Sequence, residues 1–413
     1  FHILQEFPAP VKEPVAQING SVHIQKEQPL LGKRHPDHLF SIILQAGTFD
    51  KEKKNRYNTD GYYCTKETVM QQTISQLPEL LLAWYDRGHR ALPWRQDREA
   101  YHVWLSEIML QQTRVEAVKG YYTRFLAALP DIPALAACGE ERLKKLWEGL
   151  GYYSRMRNLQ KAAQTIVRDY AGVFPQRYEQ IRALPGVGDY TAGAICSICF
   201  ELPVPAVDGN VLRVMSRVTE DEAPVTKQAV KKAWAQRLQK LYPAGRRGDF
   251  TQALMELGAV VCVPNGAPKC AQCPLASLCA ARAHDSWRRF PVKEARRARR
   301  EEEKTVFLLR TPDGRIALRK RADSGLLAGL WELPNVPERL DAPQALAQLE
   351  RWGLEPQELQ KHVERQHIFT HVVWRMRCFS VTVARSVQDF VWADAQALRS
   401  ELALPSAFRM FLP

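Results

Sequence analysis

The chain has 413 residues, 46% hydrophobic and 25% charged, which is the balance of an ordinary soluble polypeptide of two or three domains. No apolar run approaches the ~20 residues that span a bilayer, and Leu39–Leu44 is too short for a secretory segment. A membrane partner is therefore set aside, and a cytoplasmic protein is expected (nucleoid-associated in a bacterium). A formal net charge of +13 favours a polyanionic partner, nucleic acid first.

Residues 1–75 are polar and rich in Lys and Pro, with no sustained period of 3.6 or 2. They read as a poorly ordered N-terminal extension, and the organised protein is expected to begin near Met70. Ser75 is expected to cap a helix with Pro78 in its first turn and Leu77, Leu80, Leu81 and Trp84 at helical spacing. From 76 to 285 apolar residues recur three and four apart between Gly and Pro breaks, which predicts an all-helical domain.

Within it, Tyr101–Thr113 (YHVWLSEIMLQQT) predicts a helix that sets Trp104 and Leu110 on the face of Glu107. Apolar neighbours penalise a charged carboxylate, so Glu107 should hold its proton near neutral pH, as a general acid must. A surface glutamate is the plainer reading of the position. Leu184–Ile195 (LPGVGDYTAGAI) places Gly186 and Gly188, both expected in backbone conformations closed to other residues, before a small-residue helix. Such a turn aims N–H groups at an anion. Cys196 and Cys199 follow in an apolar run and read as buried structural cysteines. Asp208, in VPAVDGNVLRV, sits at a helix start whose N–H donors should keep its pKa low; a simple N-cap has the same signature.

Nine cysteines occur, and Cys262, Cys270, Cys273 and Cys279 fall in one short loop with seven, two and five residues between them. Four thiolates suit tetrahedral zinc or an iron–sulfur cluster, and spacing alone leaves both open. Arg288–Lys304 is highly charged and poor in apolar residues, so 286–304 reads as a solvated connector. The period then changes to two. Thr305–Leu309 and Arg315–Arg319 flank a Pro-Asp-Gly turn, Val372, Trp374, Met376 and Cys378 alternate with Val373, Arg375 and Arg377, and Leu346, Leu349 and Trp352 form a helical face closed by Gly353. Residues 305–413 are thus a separate α+β domain.

Jointly, LPWR (Leu92–Arg95), SEIMLQQT (Ser106–Thr113), GLGYYSRMRNL (Gly149–Leu159), the Leu184–Ile195 turn, VDGNV (Val207–Val211) and the cysteine loop resemble the MutY adenine DNA glycosylases over about 70–413. The resemblance implies a helix-hairpin-helix glycosylase domain with an iron–sulfur cluster loop, followed by a Nudix-like domain that recognises 8-oxoguanine. It implies hydrolysis of the N-glycosidic bond of adenine opposite 8-oxoguanine or guanine in double-stranded DNA, by a monomer. Glu107 would protonate the adenine and help activate water, Asp208 with Asn210 would stabilise an oxocarbenium-like state, and Tyr190 would sit near the acid. Trp94, Arg95, Leu110 and Gln252 would line the adenine pocket, while Gln112 and Tyr152 would wedge into the duplex. Gly186, Val187 and Gly188 would grip a phosphate, and Cys262, Cys270, Cys273 and Cys279 would hold a [4Fe–4S] cluster, although the first cysteine gap is one residue longer than the commonest family spacing.

Leu326–Asn335 and Phe369-Thr370-His371 resemble the 8-oxoguanine reader, with Thr370 where serine is frequent. No Nudix-type glutamate cluster follows Gly329, which argues against pyrophosphate hydrolysis. His367 and His371 are four apart but lack a third ligand. Lyase-competent endonuclease III relatives carry a lysine where this chain has Tyr190, which cannot form a Schiff base, so base removal without strong strand cleavage is expected. The alternatives weighed are an endonuclease III-like pyrimidine glycosylase and lyase, and a non-catalytic damage-binding protein.

Overall fold

The computed structural model describes residues 66–295 and 298–412, with 56–57 and 63–64. Contacts divide the chain into two units, Phe1–Glu67 and Thr68–Pro413. In the first, β1 (Arg56–Tyr57) pairs antiparallel with β2 (Tyr63–Cys64). The expectation for the rest of the extension lies outside the described residues.

The second unit begins at Thr68, close to the expected start near Met70, and its first helix falls within the stretch read as extension. Helix α1 spans Lys66–Ser75 and α2 spans Leu77–Arg87. Ser75 ends the first helix, where its Oγ donates to the Gln72 carbonyl, and so does not cap the second. Only a few apolar anchors, such as the fully buried Ile74, hold α1, which is why it shows no clear period.

Ten further helices follow: α3 (Ala100–Leu110), α4 (Val115–Ala128), α5 (Ile132–Ala137), α6 (Glu140–Trp147), α7 (Tyr153–Tyr170), α8 (Tyr178–Ala183), α9 (Asp189–Phe200), α10 (Gly209–Thr219), α11 (Gln228–Gln239) and α12 (Arg247–Val260). A short α13 (Ala280–Ala283) lies after the cysteine loop. They build two cores. Trp104, Phe125, Trp147 and Ile195 belong to the core of α3–α9. Leu81, Val214, Trp234 and Leu257 belong to a second core that joins α1 and α2 to α10–α12. The chain leaves the second bundle after α2, builds the first, and returns at α10. Burying each such side chain contributes about 1.5–3 kcal/mol, and the cleft between the bundles is lined from both sides.

The charged connector is not free in solvent. Arg217 Nε donates to the Phe290 carbonyl at 3.1 Å, and Val225 N to the Val292 carbonyl at 3.0 Å. Its last five residues begin strand β3 (Arg300–Arg310), which runs parallel to Val372–Val383 with Arg300 opposite Val372. Cross-strand pairs absorb the charge, Glu301 with Arg375 at 2.8 Å and the Trp374 Nε1 donor on Glu302 at 2.8 Å.

The C-terminal sheet also contains β4 (Ile316–Lys320), β5 (Trp331–Glu332), β6 (Asn335–Val336), β7 (Pro356–Ile368), β8 (Val372–Val383) and β9 (Val391–Ala393), in the order β5-β4-β3-β8-β7, with β6 on β3 and β9 on β4. Only β3 and β8 pair in parallel among these, so the sheet is mixed. Alternate residues serve opposite cores. Val306, Leu308, Trp374 and Met376 meet Leu398 and Phe408, whereas Phe307, Leu309, Phe379 and Val381 meet Leu349 of α14 (Ala342–Arg351). The hairpin turn between β7 and β8 carries Phe369, Thr370 and His371, so His367 and His371 lie on a strand and a turn rather than on one helix face.

Helix α6 clasps this domain to the helical one. The fully buried Lys144 donates from Nζ to the Gly329 carbonyl at 2.8 Å, and Lys145 Nζ to the Leu398 carbonyl at 2.8 Å. Glu148 just beyond accepts from Leu404 N at 2.8 Å and Arg409 Nη2 at 2.9 Å. Leu330 and Ala403 complete the contact inside the α3–α9 core.

Candidate active site

The cleft between the bundles has a volume of about 810 Å³ and brings Glu107 from α3 to the same space as Asp208 at the head of α10. Trp94, Arg95, Leu110, Gln112, Gly186, Gly188, Tyr190, Asn210 and Gln252 also line it.

Glu107 is 7% exposed, and the Tyr190 hydroxyl donates to its Oε2 at 2.5 Å. Burial pushes its pKa up, the Tyr190 hydrogen bond opposes, the Asp208 charge adds to the rise and Arg95 subtracts; the result is about 7. The Tyr190 hydroxyl is in turn held well above its usual range by burial and by Glu107, so it stays a donor.

Asp208 caps α10 through Oδ1, which accepts from Val211 N at 2.8 Å, while Oδ2 accepts from Asn210 Nδ2 at 2.7 Å. The cap is the expected one, but the expected low pKa is not found. Burial raises it and outweighs the lowering by Val211 N, Asn210 and Arg213. The donors at the helix start are local, whereas the loss of solvent on the cleft wall comes from the surrounding fold.

Asn210 is fixed by Arg213, whose Nη2 donates to Asn210 Oδ1 at 2.7 Å and to the Gly258 carbonyl at 2.7 Å, with Nε on the Cys262 carbonyl at 2.8 Å. Gly258 permits this approach, since a Cβ there would stand 2.5 Å from Asn210 Cβ. The carboxylate site thus leans, through one arginine, on the first residue of the cysteine loop. Cys262, Cys270, Cys273 and Cys279 line one cavity with Val214, Leu257 and Leu275. Burial pushes the Cys273 thiol up to about 12, a hydrogen bond from the Leu275 backbone opposes, and the other three cysteines add to the rise. Arg217 Nη1 lies 3.3 Å from Cys262 Sγ. Four soft thiol donors in an apolar cage with an arginine at one sulfur suit an anionic metal–thiolate group. Among the described residues, no three His, Cys, Asp or Glu side chains close around a single ion.

The turn between α8 and α9 departs from expectation at one glycine. Gly186 has φ +76 and a Cβ there would meet Asn158 Cβ at 2.6 Å, so glycine is required. Gly188 caps α9 with an ordinary φ of −93 and open space around it. Cys196 is fully buried in α9, and burial pushes its thiol up to about 12 and that of Cys199 up as well.

Gln112 and Tyr152 both adopt left-handed backbone, φ 56 and φ 48, and both are exposed. Tyr152 is not on the cleft wall; its hydroxyl lies 2.9 Å from the Thr370 hydroxyl on the β7–β8 turn. Thr370 and His371 are exposed there, with Phe369 packed edge-on against Trp374 at 4.8 Å.

Sequence reasoning missed Glu256. It is 1% exposed and takes Arg90 Nε at 2.7 Å and Arg95 Nη2 at 2.9 Å. Burial would raise its pKa, but the Arg90 bond and the Arg95 charge hold it at about 2. It anchors Arg95 against the cleft, and its place four residues after Gln252 on α12 was the available signal. Gln252 is oriented in turn by the Tyr85 hydroxyl, 3.2 Å from Oε1.

A buried acid, a second carboxylate and a glycine turn share one cleft, an arrangement that fits a base-excision DNA glycosylase. The HhH-GPD superfamily of base excision DNA repair proteins matches residues 105–240, and the NUDIX domain family matches 305–413. An adenine DNA glycosylase of Mus musculus is 37% identical over 96% of this chain and 90% of its own, and that of Homo sapiens is 39% identical over 71% and 64%. A solved thermostable thymine-DNA glycosylase covers 52% of this chain and 97% of its own, at 27% identity and a TM-score of 0.47. The chain belongs to the adenine DNA glycosylase family. It is a DNA-binding N-glycosylase with a helical glycosylase domain and a C-terminal Nudix-like domain.

Proposed function

We propose that the enzyme removes adenine paired with 8-oxoguanine, or with guanine, from duplex DNA. The observation that carries this reading is Glu107, an acid pushed to about 7 in the same cleft as Asp208. Near neutral pH a large share of Glu107 is protonated. Because Tyr190 donates to Oε2, the acid proton resides on Oε1, free to pass to N7 of a flipped adenine. The base then departs neutral, and the Asp208 carboxylate, held by Val211 N and Asn210, faces the positive charge that develops on the sugar. Deprotonated Glu107 next draws a proton from the attacking water.

Trp94, Arg95, Leu110 and Gln252 form the adenine pocket in this reading, Gln112 and Tyr152 fill the space left in the duplex, and Gly186 and Gly188 offer backbone to a phosphate, whereas Val187 N is already bonded to the Leu184 carbonyl at 3.1 Å and serves to hold the turn. Thr370 and His371 read the 8-oxoguanine by hydrogen bonding. Cys262, Cys270, Cys273 and Cys279 would hold a [4Fe–4S] cluster, which when bound supplies a rigid cross-link to the loop that supports Arg213. The protein works as a monomer in the cytoplasm or on the nucleoid. Tyr190 leaves no amine at the lyase position, so strand cleavage is weak.

The test is a duplex with adenine opposite 8-oxoguanine, assayed for free adenine. Glu107→Gln should lower the excision rate by about 10²–10⁴-fold. Full turnover by that variant would sink the assignment of the acid, and robust borohydride trapping would contradict a monofunctional enzyme.

A further inference from the structure

Arg155, in the first turn of α7, is 9% exposed, and no carboxylate among the described residues bonds to it. Its guanidinium bonds to backbone carbonyls and, at 3.4 Å, to the Thr113 hydroxyl instead. Nη1 donates to the carbonyls of Ile108 at 2.7 Å, Met109 at 3.0 Å and Gln111 at 2.7 Å. Nη2 donates to those of Leu150 and Gly151, both at 3.1 Å. Ile108 and Met109 lie in the last turn of α3, where carbonyls lack helical partners and the helix dipole favours a cation. That compensates a buried charge that would otherwise be poorly placed.

The two segments it joins are the ones that carry Gln112 and Tyr152. The Gln111 carbonyl belongs to the peptide that enters Gln112, and the Gly151 carbonyl to the peptide that enters Tyr152. Left-handed backbone is disfavoured for both residues and persists only where surroundings over-determine it. One planar guanidinium grips both entering peptides, and its carbon lies 5.5 Å from the Tyr152 ring centre and 5.5 Å from that of Trp147.

We propose that Arg155 is the positioning residue of the duplex wedge: by clamping the Gln111 and Gly151 carbonyls it fixes Gln112 and Tyr152 at the spacing that opens the base pair. This rests on reading those two residues as the wedge. Lysine keeps the charge but cannot fork between two segments, so Arg155→Lys loosens the clamp.

The experiment uses the full chain and a duplex with adenine opposite 8-oxoguanine and 2-aminopurine beside the adenine, whose fluorescence rises on unstacking. Arg155→Lys should reduce the unstacking signal and the single-turnover excision rate, each about tenfold, or 1.4 kcal/mol at 25 °C. The pH midpoint of excision should stay where it is, because the clamp acts on the wedge and not on Glu107. Adding Arg155→Lys to a Gln112→Ala, Tyr152→Ala variant should lower neither further. An undiminished unstacking signal in Arg155→Lys, a shifted pH midpoint, or fully additive losses would overturn the proposal. If the Gln112→Ala, Tyr152→Ala variant itself unstacks normally, the wedge reading fails and the proposal with it. Should Arg155→Lys not fold, Gly151→Ala decides. Its φ of +70 strains any side chain, while a Cβ there meets nothing within 4 Å, so it displaces the clamped carbonyl without a clash. It should lower the unstacking signal at an unchanged pH midpoint, and a normal signal would overturn the clamp.

Discussion

The Tyr152 hydroxyl stands 2.9 Å from the Thr370 hydroxyl, across 218 positions of sequence and from the helical domain to the C-terminal one. The residue proposed to enter the duplex therefore touches the residue proposed to read the damaged base. Tyr152→Phe and Thr370→Val should couple in a double-mutant cycle of DNA affinity by about 0.5–1 kcal/mol. Thr370→Ser should keep the preference for 8-oxoguanine over guanine, and Thr370→Val should reduce it. Independent effects would mean that the contact plays no part in binding.

Glu107 carries a pH signature in both rate and stability. The proposed mechanism needs its acid form, so excision should fall as pH rises through about 7. Its pKa is raised from 4.5 to about 7 on folding, so the folded state binds the extra proton and stability falls as pH rises across that window. The full penalty, roughly 3 kcal/mol, applies above pH 7. Glu107→Gln should thus be more stable than the parent in urea at pH 8 and equal to it near pH 4. A uniform gain at both pH values would point to a packing effect instead.

Glu256 has the opposite sign. Its pKa is held at about 2, so its stabilisation is present above 4.5 and is lost as pH falls toward 2. Glu256→Gln leaves Arg95 11% exposed beside an uncharged amide and should destabilise by about 3 kcal/mol, toward the low end for a broken buried pair because Arg90 is partly solvated. Loss of the anchor should also raise KM more than it lowers kcat. Urea titration and steady-state kinetics check the two halves separately.

Metal analysis decides the cysteine loop. Purified protein should hold about four irons and absorb in the visible, whereas a zinc site would hold one zinc and be colourless. Cys273→Ala should remove the metal and lower excision at least about tenfold, because the loop carbonyl under Arg213 loses its support.

Local chemistry was readable along the chain. The helix around Glu107, the glycine turn before α9 and the clustered cysteines each announced themselves within one short stretch of chain. What depends on distant backbone did not. Arg155 and Arg213 look like surface arginines until α3, α12 and the cysteine loop supply carbonyls to them. The Arg300–Lys304 segment looked like linker because its charges are answered mostly by distant residues, Glu301 and Glu302 by Arg375 and Trp374 of β8, some 70 residues away, and Glu303 by Arg339. Asp208 was misjudged for the same reason: the cap is local, but the burial that outweighs it comes from the whole cleft.

The clasp from Lys144, Lys145 and Glu148 changes what the connector has to do. A reader tethered by a flexible linker would meet the glycosylase domain at an effective concentration set by linker length, and would lose orientational freedom each time both engaged DNA. Here that freedom is surrendered once, when the chain folds. Under the proposed function, recognition of one base and extrusion of its partner then share one frame, so a duplex is tested on both strands in the same encounter.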